Sequence, residues 1–155
     1  MEEWKAISYT IGNFAPIPNL KEKGRHLQQI HRDKNERWDF LLDYCRKNWK
    51  KYSCSSAISY NEYMKLTCQQ IYFQEIYDDL FEKKLNNRKL EEIHAQEYCE
   101  WIEEWNKMID KKNDLTLLSF GKKSTEMKDI EDIVKIICIL IQVRGYMILA
   151  ALSKR

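Results

Sequence analysis

The sequence has only four glycines and two prolines in 155 residues. That leaves little room for the many tight turns of a β-sandwich. Histidine is also scarce, at three residues. The patterns G-x-x-x-x-G-K-[ST], G-x-G-x-x-G, H-E-x-x-H and G-x-S-x-G are missing, so no phosphate loop, dinucleotide fingerprint, zinc protease helix or nucleophile elbow is written here. Five cysteines stand at positions 45, 54, 68, 99 and 138. Their number is odd and none forms a C-x-x-C pair, which argues against a disulfide framework and against a zinc site. Reduced thiols, three of them on apolar stripes, are the expectation, with no metal and no cofactor. The N-terminus "MEEWKAIS" is acidic and lacks an apolar run, so no signal peptide is expected and the location is expected to be cytoplasmic.

Hydrophobic residues make up 44% and charged residues 32%, which places the chain with folded rather than disordered proteins. One domain spanning 1–155 is expected. Net charge is +2, yet it is unevenly spread. Leu20 to Lys51 holds ten Lys/Arg against five Asp/Glu, while Glu75 to Asp110 holds five against eleven. Both stretches read first as solvated helix faces, and the polarity is also a means of steering a partner.

Periodicity gives a mainly α fold: four to five helices around a hydrophobic C-terminal helix, with a short N-terminal strand or extended segment. Ile7, Tyr9 and Ile11 alternate, so Lys5 to Ile11 reads as a strand, with Gly12-Asn13 as a turn. Asn19 to Lys34 reads as loop with a short helix near Leu27 to Ile30. A helix from about Asn35 carries Trp38, Leu41, Leu42, Cys45, Trp49 and Tyr52 on one stripe. Ser59 caps a second helix to about Lys84, with Glu62 completing a capping box. A third, about 88–111, aligns Leu90, His94, Tyr98, Trp101, Trp105 and Met108. "LTLLSF" after it reads as a second short strand, pairing with Lys5 to Ile11. A last helix runs from about Thr125 to Leu152, capped by Ser124 or Thr125.

That last helix is apolar enough to test as a membrane span. Lys135, Gln142 and Arg144 interrupt it, and each charge at mid-bilayer costs about 2.5–3.5 kcal/mol on insertion scales. A buried core helix without a membrane is therefore expected. At 100° per residue, Lys128, Glu131, Asp132, Lys135, Gln142 and Ser153 share one wet stripe. Arg144 projects from the opposite side. Gly145 beside it lowers helix propensity and suits the close approach of another backbone. A buried guanidinium needs an acceptor. A buried ion pair with Asp39 is the first expectation, with Glu36 as another carboxylate in reach. An anion-binding pocket for phosphate, a nucleotide or nucleic acid is the alternative.

Two Arg/His spacings, Arg25 to His31 and Arg88 to His94, are R-x5-H. The first is similar to the R-x4–6-H motif of HEPN-type ribonucleases, which are small helical domains. That likeness implies His31 as general acid or base and Arg25 as stabiliser of phosphorane charge. His94 falls on an apolar line, where a core histidine is the commoner reading. The segment "TIGNFAPIPN" also resembles part of HNH-type endonucleases. No histidine stands before Thr10, which excludes their chemistry. "EWIEEW" reads as an exposed helix edge flanked by core tryptophans.

At Tyr9, Thr10, Ile11, Gly12, Asn13 and Phe14, then Pro18, then Arg37, Trp38, Asp39 and Leu42, the sequence resembles an uncharacterised bacterial protein family. Its members carry Y-T-I-G-(N/G)-F, a following proline, a basic stretch and an aromatic-Asp-x-x-Leu helix start. Its members are longer, so this chain is expected to lack their N-terminal region. The resemblance implies a fold core rather than a reaction. Together these readings favour a non-enzymatic interaction protein of bacterial or phage origin, such as an inhibitor of a host defence complex. A protein or ribonucleoprotein partner is expected, with nucleic-acid contact through residues 20–51. The alternative is a HEPN-like RNA-cleaving or nucleotide-binding helical domain.

Overall fold

The computed structural model describes Gly12, residues 21–22, 25–26, 38–112, 114–120 and 127–154, with backbone alone at 21–22, 25–26, 38–41, 53–54 and 127–129. A minimal antiparallel ribbon pairs β1 (Lys21–Glu22) with β2 (Arg25–His26), Lys21 opposite His26 and Glu22 opposite Arg25. It falls where the sequence reads as loop. The expected strand Lys5 to Ile11 and helix Leu27 to Ile30 lie outside the described residues.

Five α-helices follow among the described residues. Helix α1 spans Trp38–Lys47 and buries Leu42 and Cys45, with Trp49 and Tyr52 continuing the stripe through short 3-10 turns. Trp49 packs against Tyr52, Tyr60 and Tyr63 at centroid distances of 5.6, 5.4 and 5.0 Å. Its indole N–H donates to the carbonyl of Ile58 at 3.0 Å, so the ring is buried without an orphan donor. Helix α2 is Tyr60–Leu66, and Ser59 caps it by accepting from the backbone N–H of Glu62 at 3.1 Å.

The helix expected to run unbroken from Ser59 to Lys84 is instead two helices. Cys68 takes a left-handed φ of 52°, and the N–H of Gln69 bonds back to the carbonyl of Met64 at 2.8 Å, which closes α2. A 3-10 turn at Gln70–Tyr72 leads to an extended Phe73, then α3 at Gln74–Asp79. Phe73 bridges Leu117 antiparallel, flanked by Gln74 N–H to Thr116 O and Leu118 N–H to Tyr72 O, both 2.8 Å. The "LTLLSF" segment therefore pairs with this break. Leu115 and Leu118 are both buried. Helix α3 widens into a π-turn at Leu80–Leu85, ended by Asn86 and Asn87 at φ 38° and 63°.

Helix α4 is Ala95–Lys111, after a 3-10 turn at Leu90–Glu92. Tyr98, Trp101 and Trp105 are buried core residues, and the intervening Glu100, Glu103 and Glu104 are exposed, as the "EWIEEW" reading anticipates. Helix α5, Met127–Ser153, lies along α4. Tyr146 stacks on Tyr98 at 5.4 Å and 10°, and the Cys99 thiol donates to the carbonyl of Ala150. By length and composition Ile130–Ser153 is apolar enough to cross a membrane, and under half of that stretch is buried inside the protein. Its buried face includes Leu140, Val143, Arg144 and Met147. Its outer edge carries Glu131, Asp132 and Lys135, but also Leu149 and Leu152, at 55% and 53% exposure.

Candidate functional site

Arg144 is 1% exposed, on the α5 face opposite Glu131 and Lys135, as its helical phase requires. Its Nε and Nη2 both donate to the carbonyl of Thr67, at 3.1 and 2.8 Å, and its Nη1 donates to the carbonyl of Gly12 at 2.7 Å. Thr67 is the C-cap of α2. The final carbonyls of a helix have no partner in their own helix, and a cation there meets the negative end of the helix dipole. The break at Cys68 is what exposes this acceptor. Around it, Thr67 Oγ1 donates to the carbonyl of Tyr63 at 2.7 Å. The buried Gln69 amide donates to Tyr63 Oη at 2.9 Å and to Thr67 Oγ1 at 2.7 Å.

Gly12 is buried against α5. A Cβ on it would lie 1.8 Å from the carbonyl oxygen of Ile141 and 2.8 Å from the backbone nitrogen of Gly145. Two backbones thus cross at contact distance beside the guanidinium, with Gly145 on the α5 side of the crossing. Gly12 makes a close-packed crossing here; Asn13, the other residue of the expected turn, lies outside the described residues.

Burial lowers the Arg144 pKa from its ordinary value, and Tyr72, Cys68 and Tyr63 act in the opposite sense. Arginine stays charged regardless, since its reference value is above 12. The same burial lifts Tyr72 to about 12 and raises the Cys68 thiol, each partly offset by the Arg144 charge. The arrangement holds a cation in apolar surroundings by giving it backbone carbonyls. An anion site would aim those N–H groups at a ligand, whereas here they join three segments of one chain. The side chain of Asp39, the carboxylate expected to face Arg144, lies outside the described residues.

Arg88 makes a two-pronged ion pair with Glu97, Nη1 to Oε2 at 2.8 Å and Nη2 to Oε1 at 2.9 Å, on the exposed surface. His94 is exposed and is the N-cap residue of α4, its carbonyl accepting from the N–H groups of Glu97 and Tyr98. It is not the core histidine that its place on the apolar line suggests. The line begins one turn later, because residues 93–94 are extended rather than helical. Arg25 stands in strand β2 rather than in a helix, and His31 lies outside the described residues.

Sequence reasoning missed a second buried polar centre. Asp79, 6% exposed at the end of α3, accepts from the Trp105 indole N–H at 2.8 Å. Lys83 approaches at 3.1 Å and Lys84 at 4.0 Å, and Lys84 also pairs with Glu104 of α4. Burial pushes the Asp79 pKa up, but the Trp105 and Lys83 hydrogen bonds and both lysine charges outweigh it and hold the carboxyl below its usual range. The signal was an aspartate in phase with Ile76 and Leu80 on a buried helix face. Among the described residues, no group of three or more His, Cys, Asp or Glu is placed to hold a metal ion. Comparison with protein-family models, with curated proteins and with solved structures finds no match to this chain.

Proposed function

We propose that this chain is a non-enzymatic interaction protein of bacterial or phage origin, working in the cytoplasm by docking a basic protein or ribonucleoprotein on its acidic face. The observation that supports this is the run of exposed carboxylates on α3, its π-turn, the 3-10 turn Leu90–Glu92 and α4: Asp78, Glu82, Glu91, Glu92 and Glu100. Glu97, Glu103 and Glu104 add to it while paired with Arg88, Lys154 and Lys84. Clustered charge of one sign speeds encounter with an oppositely charged surface and disfavours like-charged ones. A nucleic-acid-handling host defence complex offers such a basic surface, and a protein occupying it would act as an inhibitor. The residues with chemical potential support the same reading, because Arg144, Arg88 and His94 are each engaged in holding the fold.

The test is affinity capture from a bacterial lysate with the wild-type chain and with Glu91→Gln/Glu92→Gln/Glu100→Gln. The wild type is expected to retain a basic partner at low ionic strength and to release it as salt screens the contact. The triple variant is expected to lose it. Equal capture by both proteins, or release insensitive to salt, overturns the proposal.

A further inference from the structure

Where α3 passes into its π-turn, Tyr77 and Phe81 bring their ring centroids to 4.6 Å at a 41° tilt. Both rings pack against the core and both stay half-exposed. Every other ring pair between described residues has at least one member buried in the core. Asp78 and Glu82 each follow one of the two rings in sequence, and both are exposed. Asp78 accepts from the neutral amide of Gln74 at 2.8 Å, and neither carboxylate has an ion pair among the described residues. The cations beside them are engaged elsewhere, Lys83 with Asp79 and Lys84 with Glu104. An aromatic surface flanked by two uncompensated carboxylates is therefore left facing solvent.

Resting on the acidic face as the docking surface, we propose that Tyr77 and Phe81 are its anchor and take an arginine side chain of the partner protein. A ring face is electronegative and attracts a cation laid over it. A guanidinium is planar and weakly hydrated, so it stacks on a ring and still turns its N–H edge toward carboxylates. Asp78 and Glu82 supply those acceptors on either side of the pair. A lysine ammonium matches the charge but keeps its water and has no flat face to stack, so the site discriminates between the two basic residues. The π-turn fits this role, because such turns recur at functional positions in helices.

The experiment titrates the full chain into two dye-labelled peptides by fluorescence anisotropy. One peptide spaces arginines with glycine and serine; its twin carries lysine at the same places. Wild type is expected to bind the arginine peptide about two- to five-fold more tightly, the range an exposed cation–π contact gives. Tyr77→Leu/Phe81→Leu is expected to bring the two affinities together while leaving the lysine peptide's unchanged. In wild type, nuclear Overhauser contacts should link the arginine side-chain protons to the Tyr77 and Phe81 rings, a readout that needs no variant. Equal affinity of wild type for the two peptides, an arginine preference that survives in Tyr77→Leu/Phe81→Leu, or bound arginine peptide without those ring contacts overturns the anchor and leaves the acidic face standing. Absence of salt-sensitive binding to either peptide overturns both.

Discussion

Replacing Gly12 by Ala tests the crossing at Arg144 with one methyl group. The new Cβ would stand 1.8 Å from the Ile141 carbonyl oxygen, which is backbone and cannot swing aside. Reaching even 3.0 Å requires a shift of about 1.2 Å. Directed away from α5, that shift stretches the Arg144 to Gly12 hydrogen bond from 2.7 Å to about 3.9 Å, beyond bonding range. A hydrogen bond from a charged donor contributes about 1.5–3 kcal/mol net, so Gly12→Ala should destabilise by at least that much. Arg144→Met keeps the volume but orphans two carbonyls, at about 1–3 kcal/mol each, offset in part by removing a buried charge. The two substitutions break the same bond. Their double variant should therefore fall short of the summed losses by about 1.5–3 kcal/mol. Urea unfolding of the four proteins, followed by tryptophan fluorescence, reads the cycle directly. Additivity within about 0.5 kcal/mol would refute a shared clamp.

Other expectations follow from the same structure. Asp79→Ala leaves the Trp105 N–H buried without an acceptor and should lose about 1–3 kcal/mol by urea unfolding. Because the folded pKa of Asp79 lies below its unfolded value near 3.8, its stabilisation is full above that pH and fades as pH falls through the folded value. The stability gap between wild type and Asp79→Asn should accordingly narrow below about pH 4; a gap that widens there contradicts the pairing. Ser59→Ala removes the α2 cap and should lower stability by about 0.5–2 kcal/mol, with Ser59→Asp close to neutral. Purified protein should leave single-stranded RNA intact, and His31→Ala and His94→Ala should change nothing; cleavage lost in His31→Ala would restore the ribonuclease reading.

Helical phase was the most legible property of the sequence. It places α5 within two residues at each end, puts Arg144 opposite the polar stripe, and puts Tyr98, Trp101 and Trp105 in the core. What phase cannot show is a helix ending at a residue with no breaker character. Cys68 in a left-handed conformation is neither Gly nor Asn, so the split between α2 and α3 is invisible in the pattern. That split decides the site, since it frees the Thr67 carbonyl for Arg144. The Phe73–Leu117 bridge is equally hidden, because a non-local pairing leaves no local signal. The π-turn at Leu80–Leu85 adds a residue to one turn and brings Lys84, five residues on, toward Asp79, which a 3.6-residue period does not foresee. The expectation that Arg144 needs an acceptor was sound chemistry; residue-type reasoning named a carboxylate and had no means of finding the backbone carbonyls of Thr67 and Gly12, while the Asp39 side chain it named lies outside the described residues.

The central claim is that Arg144 is a sealed structural clamp and that recognition belongs to the outer acidic face. Nitrogen-15 NMR of the Arg144 Nε–H tests it most directly. A donor buried on the Thr67 carbonyl should exchange slowly with water and keep its chemical shift when inorganic phosphate or ATP is added. Fast exchange, or a saturable shift on adding either anion, would make Arg144 a ligand-binding residue and contradict the clamp.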